Sequence, residues 1–327
     1  MNMLSPTLVI AKKECTDAAR NSLFLTLILF LLLLVGISIL VASFAFQAQV
    51  SQYQSTLSQF SPAELKSIVL SPPAYYPLQM LRGTIEYLEI IGAVIGLVLG
   101  YLAIAKEKGT NTSRLLLTRP ISRRAFVAGK ILGASILLLV LILGIGVFTV
   151  IAVTGIGHVA FTMAELMKLG LVLVYSYAYL IFFYCFSAAL ALLVPNLPRA
   201  LMLAFSLWLV FVLIIPQIGD TMDPDNQVPG GFFAHMHMTQ TGQAAVISQF
   251  QGYENFRNAL EVSSVEKHYE RLVFATLGIK TIYNEKSLGV IMNDKWPDLL
   301  VLLVFFVIGI LLMIMSARPA RIMGASP

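Results

Sequence analysis

The word His235-Met236-His237-Met238 puts two imidazoles and two thioethers side by side, a donor set that suits copper. Beside Phe232 and Phe233 it also reads as a chance cluster in an ordinary loop, so copper binding is one of two open readings. Glu86 and Glu89 stand three apart and share a helical face. A carboxylate at Glu89 falls about one turn inside an apolar block, where it is costly. The pair is a candidate polar entrance to a membrane path, against the alternative of a salt bridge to Arg82. Enzymatic chemistry finds little support. None of the four histidines sits in H-E-x-x-H, no G-x-S-x-G occurs, and Gly219-Asp220 has no second intramembrane aspartate to work with. No G-x-x-x-x-G-K-[ST] stretch exists to cradle phosphates.

The elements that would position these residues are membrane helices. The chain has 327 residues, 58% hydrophobic and 12% charged, against about 25% charged in soluble domains. Its apolar residues come in blocks: 23–46, 131–157, 169–194 and 200–219 carry no charge, and 85–105 and 299–317 are further candidates. Each reaches the roughly 20 residues that cross a bilayer. The expected fold is therefore an all-α membrane protein of six spans. The first block is too long, and too far from residue 1, for a secretory signal, so it reads as a retained span. Cys15 and Cys185 offer neither a disulfide framework nor zinc spacing.

Lys and Arg bias gives the expected orientation. The N-terminal segment, the 106–130 connection, Arg199 and the C-terminal tail hold 13 of the 22 basic residues, and the opposite short loops hold Lys66, Arg82 and Lys168. Both termini are expected to be cytoplasmic. The net charge of +5 is this asymmetry, and no nucleic-acid surface is needed to explain it. Residues 47–83 then lie outside, with Ser61-Pro62-Ala63-Glu64 as a capping box. Residues 220–298, with ten acidic and six basic residues, read as a small ectodomain. Within it 243–277 is expected to be helical, with Ile247, Phe250, Tyr253 and Phe256 on one face. Gly92, Gly96 and Gly100 make a doubled G-x-x-x-G ladder, either a subunit interface or a packing face within the chain.

The segment Lys106 to Arg124 is the most informative. Gly109 and Pro120 bracket a stretch whose apolar patch is Leu115-Leu116-Leu117, and Ser122 stands where the next helix needs its N-cap. Three exposed leucines among charges require a partner surface or a membrane interface. The order Glu107-x-Gly109-Thr110, the leucine triplet, Arg119-Pro120-Ile121-Ser122-Arg123 and Gly129-Lys130 resembles the cytoplasmic signature of type-2 ABC exporter permeases. Ala11-Lys12-Lys13-Glu14 through Arg20 resembles that family's amphipathic elbow helix. Asn111 to Arg114 lengthens the motif relative to the family's usual spacing, which blurs the helix register.

That resemblance implies a coupling helix docking on a separate cytoplasmic ABC ATPase, which would hold ATP and Mg, with a second copy of this chain completing the path. The implied coupling residues are Glu107, Gly109, Thr110, Arg114, Leu115, Leu116, Leu117, Arg119, Pro120 and Arg123. The leucines would supply contact, and Glu107 with the arginines would be rim charges. One branch of the family, the nitrous-oxide-reductase maturation permease, is associated with copper-site assembly, which connects to the His-Met word. The expected division is an elbow over 1–22, spans one to five over 23–219 with the coupling loop 106–130, an ectodomain over 220–298, and a sixth span with a cytoplasmic tail over 299–327. The rival readings are a secondary transporter or channel, and a membrane scaffold whose ectodomain meets an extracytoplasmic partner. Few buried charges are evident, which weighs against an ion-coupled carrier.

Overall fold

A computed structural model describes residues 6–58, 77–109, 122–157, 160–228, 232–284 and 286–318. The described residues are helical and contain no strand. Six helices are long and apolar enough to cross a membrane: α2 (Ser22–Ser58), α3 (Pro77–Lys108), α4 (Arg123–Ile156), α5 (Met163–Leu193), α6 (Leu197–Met222) and α10 (Leu288–Ser316). Ahead of them lies α1 (Pro6–Ala19). Between α6 and α10 come α7 (Gln240–Gln249), α8 (Gln251–Ser263) and α9 (Val265–Leu277).

Local chemistry sets the helix starts. Asn21 Oδ1 accepts from the Phe24 amide at 3.0 Å, and Ser122 Oγ accepts from the Ala125 amide at 3.1 Å, as its position led us to expect. Thr162 and Glu165 close a reciprocal capping box at the head of α5. Asn196 caps α6. At the other end of a helix, Gly278 terminates α9 at φ +67°, a conformation that disfavours any side chain with a Cβ.

The hub is α5. Tyr179, Leu180, Ile181, Phe183, Tyr184 and Cys185 are all buried, so it is apolar on every side, as a helix surrounded by others must be. By contrast α2 buries only one stripe, Phe24, Leu31, Val35 and Ile39, and leaves Leu29, Phe30, Leu33, Val41 and Phe44 exposed, a face for lipid tails.

Two spans are locally underwound into single π-helical turns, Leu88–Gly92 in α3 and Leu209–Ile214 in α6. A π turn frees a carbonyl from the helix ladder, and each is met by a hydroxyl from elsewhere. Tyr179 donates to Glu89 O at 3.0 Å, and Ser264 donates to Phe211 O at 2.5 Å.

Several expectations are corrected. The helices outrun the apolar blocks, because polar residues such as those after Phe46 continue a helix without a glycine or proline to stop it. The expected helix over 243–277 is three helices, broken at Phe250 and Ser264. The face carrying Ile247, Phe250, Tyr253 and Phe256 is exposed. Residues 265–277 do not stand apart from the spans. Tyr269 is fully buried and stacks on Tyr179 of α5, ring centroids 4.4 Å apart, with its hydroxyl 2.7 Å from Ser176 Oγ. The sixth span opens at Leu288 and runs through Pro297 and Asp298. The capping box at 61–64 lies outside the described residues.

Candidate functional site

Two charged assemblies lie at opposite ends of α3. Residues 89 and 107 are 18 apart, so along a helix these two positions are about 27 Å from each other.

The first assembly frames the segment 110–121. Thr110, Arg114, Leu115, Leu116, Leu117, Arg119 and Pro120 fall outside the described residues, and so does the side of Gly109. What the structure describes is the helix ends on either side of that segment and the residues around them. Lys130, with no exposed surface, donates to Glu14 of α1 at 2.8 Å and to the Ala103 carbonyl of α3 at 2.6 Å, and lies 3.0 Å from Glu107 Oε1. Lys13 of α1 reaches the same Glu107 oxygen at 3.1 Å. Tyr184 of α5 donates to the Lys130 carbonyl at 3.1 Å. Nearby, Lys106 pairs with Asp17 at 2.5 Å, and Lys108 donates to the Ala191 carbonyl at the end of α5 at 2.6 Å.

Glu107 is therefore not a rim charge. It is 4% exposed and ties α1 to α3 and α4, because two ammonium groups converge on it. Arg123 is exposed and donates to the Ile314 carbonyl of α10. The close approach of α1 rests on a glycine pair that the sequence analysis passed over. A Cβ on Gly129 would lie 2.8 Å from the Thr7 carbonyl, and one on Gly133 would lie 3.0 Å from the Ala11 carbonyl. Their G-x-x-x-G spacing was the available signal.

The ladder of Gly92, Gly96 and Gly100 packs within the chain. A Cβ on Gly96 would come 2.8 Å from Leu180 O, and one on Gly100 would come 2.2 Å from Tyr184 O, both in α5. Of the two readings of this ladder, the intrachain face is the one the geometry supports.

The second assembly is a cavity of about 540 Å³ where α3, α6, α8 and α9 meet. Lys267 projects into it, held by both oxygens of Asp220 at 2.9 Å and by Glu270 at 2.6 Å. Burial pulls the Lys267 ammonium down, but Glu270 and Glu266 outweigh it and the pKa is raised. Arg271 pairs with Glu261, and Arg257 reaches Glu254 at 2.8 Å. Glu86 forms the expected exposed bridge to Arg82, at 2.9 Å. Glu89 goes elsewhere: it is 5% exposed, and its carboxylate gathers with those of Glu266 and Glu270. On α9's other side, His268 Nδ1 lies 2.7 Å from Asp298 Oδ1 and Nε2 lies 3.1 Å from the Val262 carbonyl. The buried Lys267 and His268 of α9 escaped the sequence analysis because their partners Asp220 and Asp298 stand on other helices.

Among the described residues, a group of three or more His, Cys or carboxylate side chains close enough to share an ion forms at Glu89, Glu266 and Glu270. His235, Met236 and His237 are exposed, with His237 at φ +50° and Met238 half-buried.

Between α5, α6 and α10 lies an apolar cavity of about 390 Å³, lined by Phe182, Phe186, Trp208, Phe211 and Phe305 among others. Trp208 Nε1 is buried there without a hydrogen-bond partner among the described residues.

Set against known families, the sequence is matched over residues 8–318 by a family described as ABC-2 family transporter protein. No curated protein matches the chain.

Proposed function

The chain belongs to the ABC-2 transporter family, and on that premise we propose that it is the membrane-spanning permease of an ATP-driven exporter. In this reading two copies enclose the path, and a separate cytoplasmic ATPase drives it through residues 106–130. The six spans and the family match agree in making it a multi-pass membrane protein. The chain would carry no catalysis of its own, with ATP and Mg on the partner.

The observation that carries the coupling reading is the Lys130 network. It joins α1 to both helices that flank the 110–121 segment. A displacement of that segment would not bend one stem against the other. It would move α1, α3 and α4 together, and the glycine ladder would pass the motion to α5. Packed interfaces of this kind shift between discrete arrangements, which is what alternating access requires.

Leu115, Leu116 and Leu117 supply the contact in this proposal. Fully burying one leucine is worth about 1.5–3 kcal/mol, so two in a partner's groove would dominate the affinity. The test is co-expression with candidate P-loop ATPases, starting from any encoded beside this gene, and recovery of the complex by tagging this chain. The double variant L116S/L117S should insert and fold, yet lose the ATPase and transport. Retained assembly and transport in that variant would refute coupling through these leucines.

A further inference from the structure

We propose that Glu89, Glu266 and Glu270 form a binding site for one divalent cation of the hard, oxygen-preferring class, entered from the charged cavity beside α9. The three carboxylates place one oxygen each within 4.8 Å of the others. Oxygens on opposite sides of a Ca²⁺ ion stand about 4.6–5.2 Å apart, twice the bond length, so this spacing suits one shared ion.

Proximity of acids is not the main argument; the orphaned oxygen is. Glu89 Oε1 is buried and has no hydrogen-bond partner among the described residues. An ionised carboxylate removed from water is strongly destabilised unless something of opposite charge replaces the solvent. Arg271 is on Glu261 and Arg82 is on Glu86, and Lys267, between Asp220 and Glu270, answers one of the three acids and leaves Glu89 and Glu266 without an ion pair among the described residues. Among the described residues, the hydrogen-bond contact to Glu266 is a long one from Ser264 Oγ, at 3.4 Å. Negative charge is left over at the point where Glu89 faces α9, and a divalent ion matches it.

The site is also built to hold its shape. Glu89 sits on a π turn whose freed carbonyl is taken by Tyr179, and α9 is anchored at its start by Ser264 on the π turn of α6. Glu266 and Glu270 are one helical turn apart on α9, so both face α3. Glu270 also lines the charged cavity, which gives an ion a route in. The ion would clamp α9 against α3 at the end of the bundle opposite the Lys130 network.

The probe is Mn²⁺, added to the purified full-length protein in detergent at alkaline pH, where the ligands are ionised. Loss of the free-ion EPR signal reports binding. We expect saturable uptake of one ion per chain and displacement by Ca²⁺. E89Q and E266Q should each weaken it at least about tenfold. Absence of saturable uptake by the wild-type protein would overturn the proposal, leaving the cluster to hold protons, and so would undiminished affinity in the two folded variants. Neither measurement involves an ATPase or transport, so its failure would leave the permease proposal standing.

Discussion

Lys130 of α4 and Glu107 of α3 lie 3.0 Å apart, although the whole 110–121 segment separates them in sequence. Glu107 takes a second ammonium from Lys13, and Lys130 takes a second carboxylate from Glu14, so neither charge can be removed without stranding another. Breaking a buried pair by deleting one partner typically costs about 3–5 kcal/mol. We expect Lys130→Ala to lower the melting temperature sharply. Combining it with Glu107→Gln should cost less than the sum of the two single changes. Strict additivity, measured in a double-mutant cycle, would show that the two groups are energetically independent.

Gly100→Ala should destabilise the monomer itself. The added Cβ would fall 2.2 Å from the Tyr184 carbonyl, a backbone atom that cannot rotate away. Overpacking of this kind typically costs about 1–3 kcal/mol. The expected result is a lower melting temperature in detergent with the oligomeric state unchanged. Dissociation without loss of melting temperature would place the glycine face at a subunit contact instead.

Stability should fall as pH rises between about 4.5 and about 8. Burial pushes Glu266 from its ordinary 4.5 to about 8, with Lys267 and Arg271 pulling down and Glu270 adding to the rise. Glu89 faces it from α3, and Asp220 of α6 holds the neighbouring Lys267. Between those two values the folded chain keeps a proton that the unfolded chain has released, so each step upward favours unfolding. The contribution is fully present below 4.5 and gone above 8. Melting curves taken with a chelator present should show this slope, and Glu266→Gln should flatten it. An equal slope in the variant would assign the effect to another group.

Orientation can be read with two cysteines. The concentration of Lys and Arg near 106–130 predicts that Ser113→Cys is labelled from the cytoplasm. Asn258→Cys, on the exposed face of α8, should be labelled from outside. Labelling of both from one side would overturn the six-span topology.

Fold class was legible in the residues because the bilayer imposes its own rule. An apolar block of about 20 residues can satisfy its backbone in lipid only as a helix, whatever its neighbours are. Ser122 as a cap, the Arg82–Glu86 bridge and the glycine ladder were legible for a similar reason, since each depends on spacing along one helix. The order of residues from Glu107 to Lys130 was recognisable as a family pattern. Only the tertiary structure decided what the charges do. Glu107 was expected as a rim charge, and α9 fell inside the expected ectodomain. Lys13 and Lys130 bury the first, and Asp220, Asp298 and Tyr179 receive the second. The desolvation cost of a charge is intrinsic to the residue, but its compensation comes from another helix, and no local pattern encodes that.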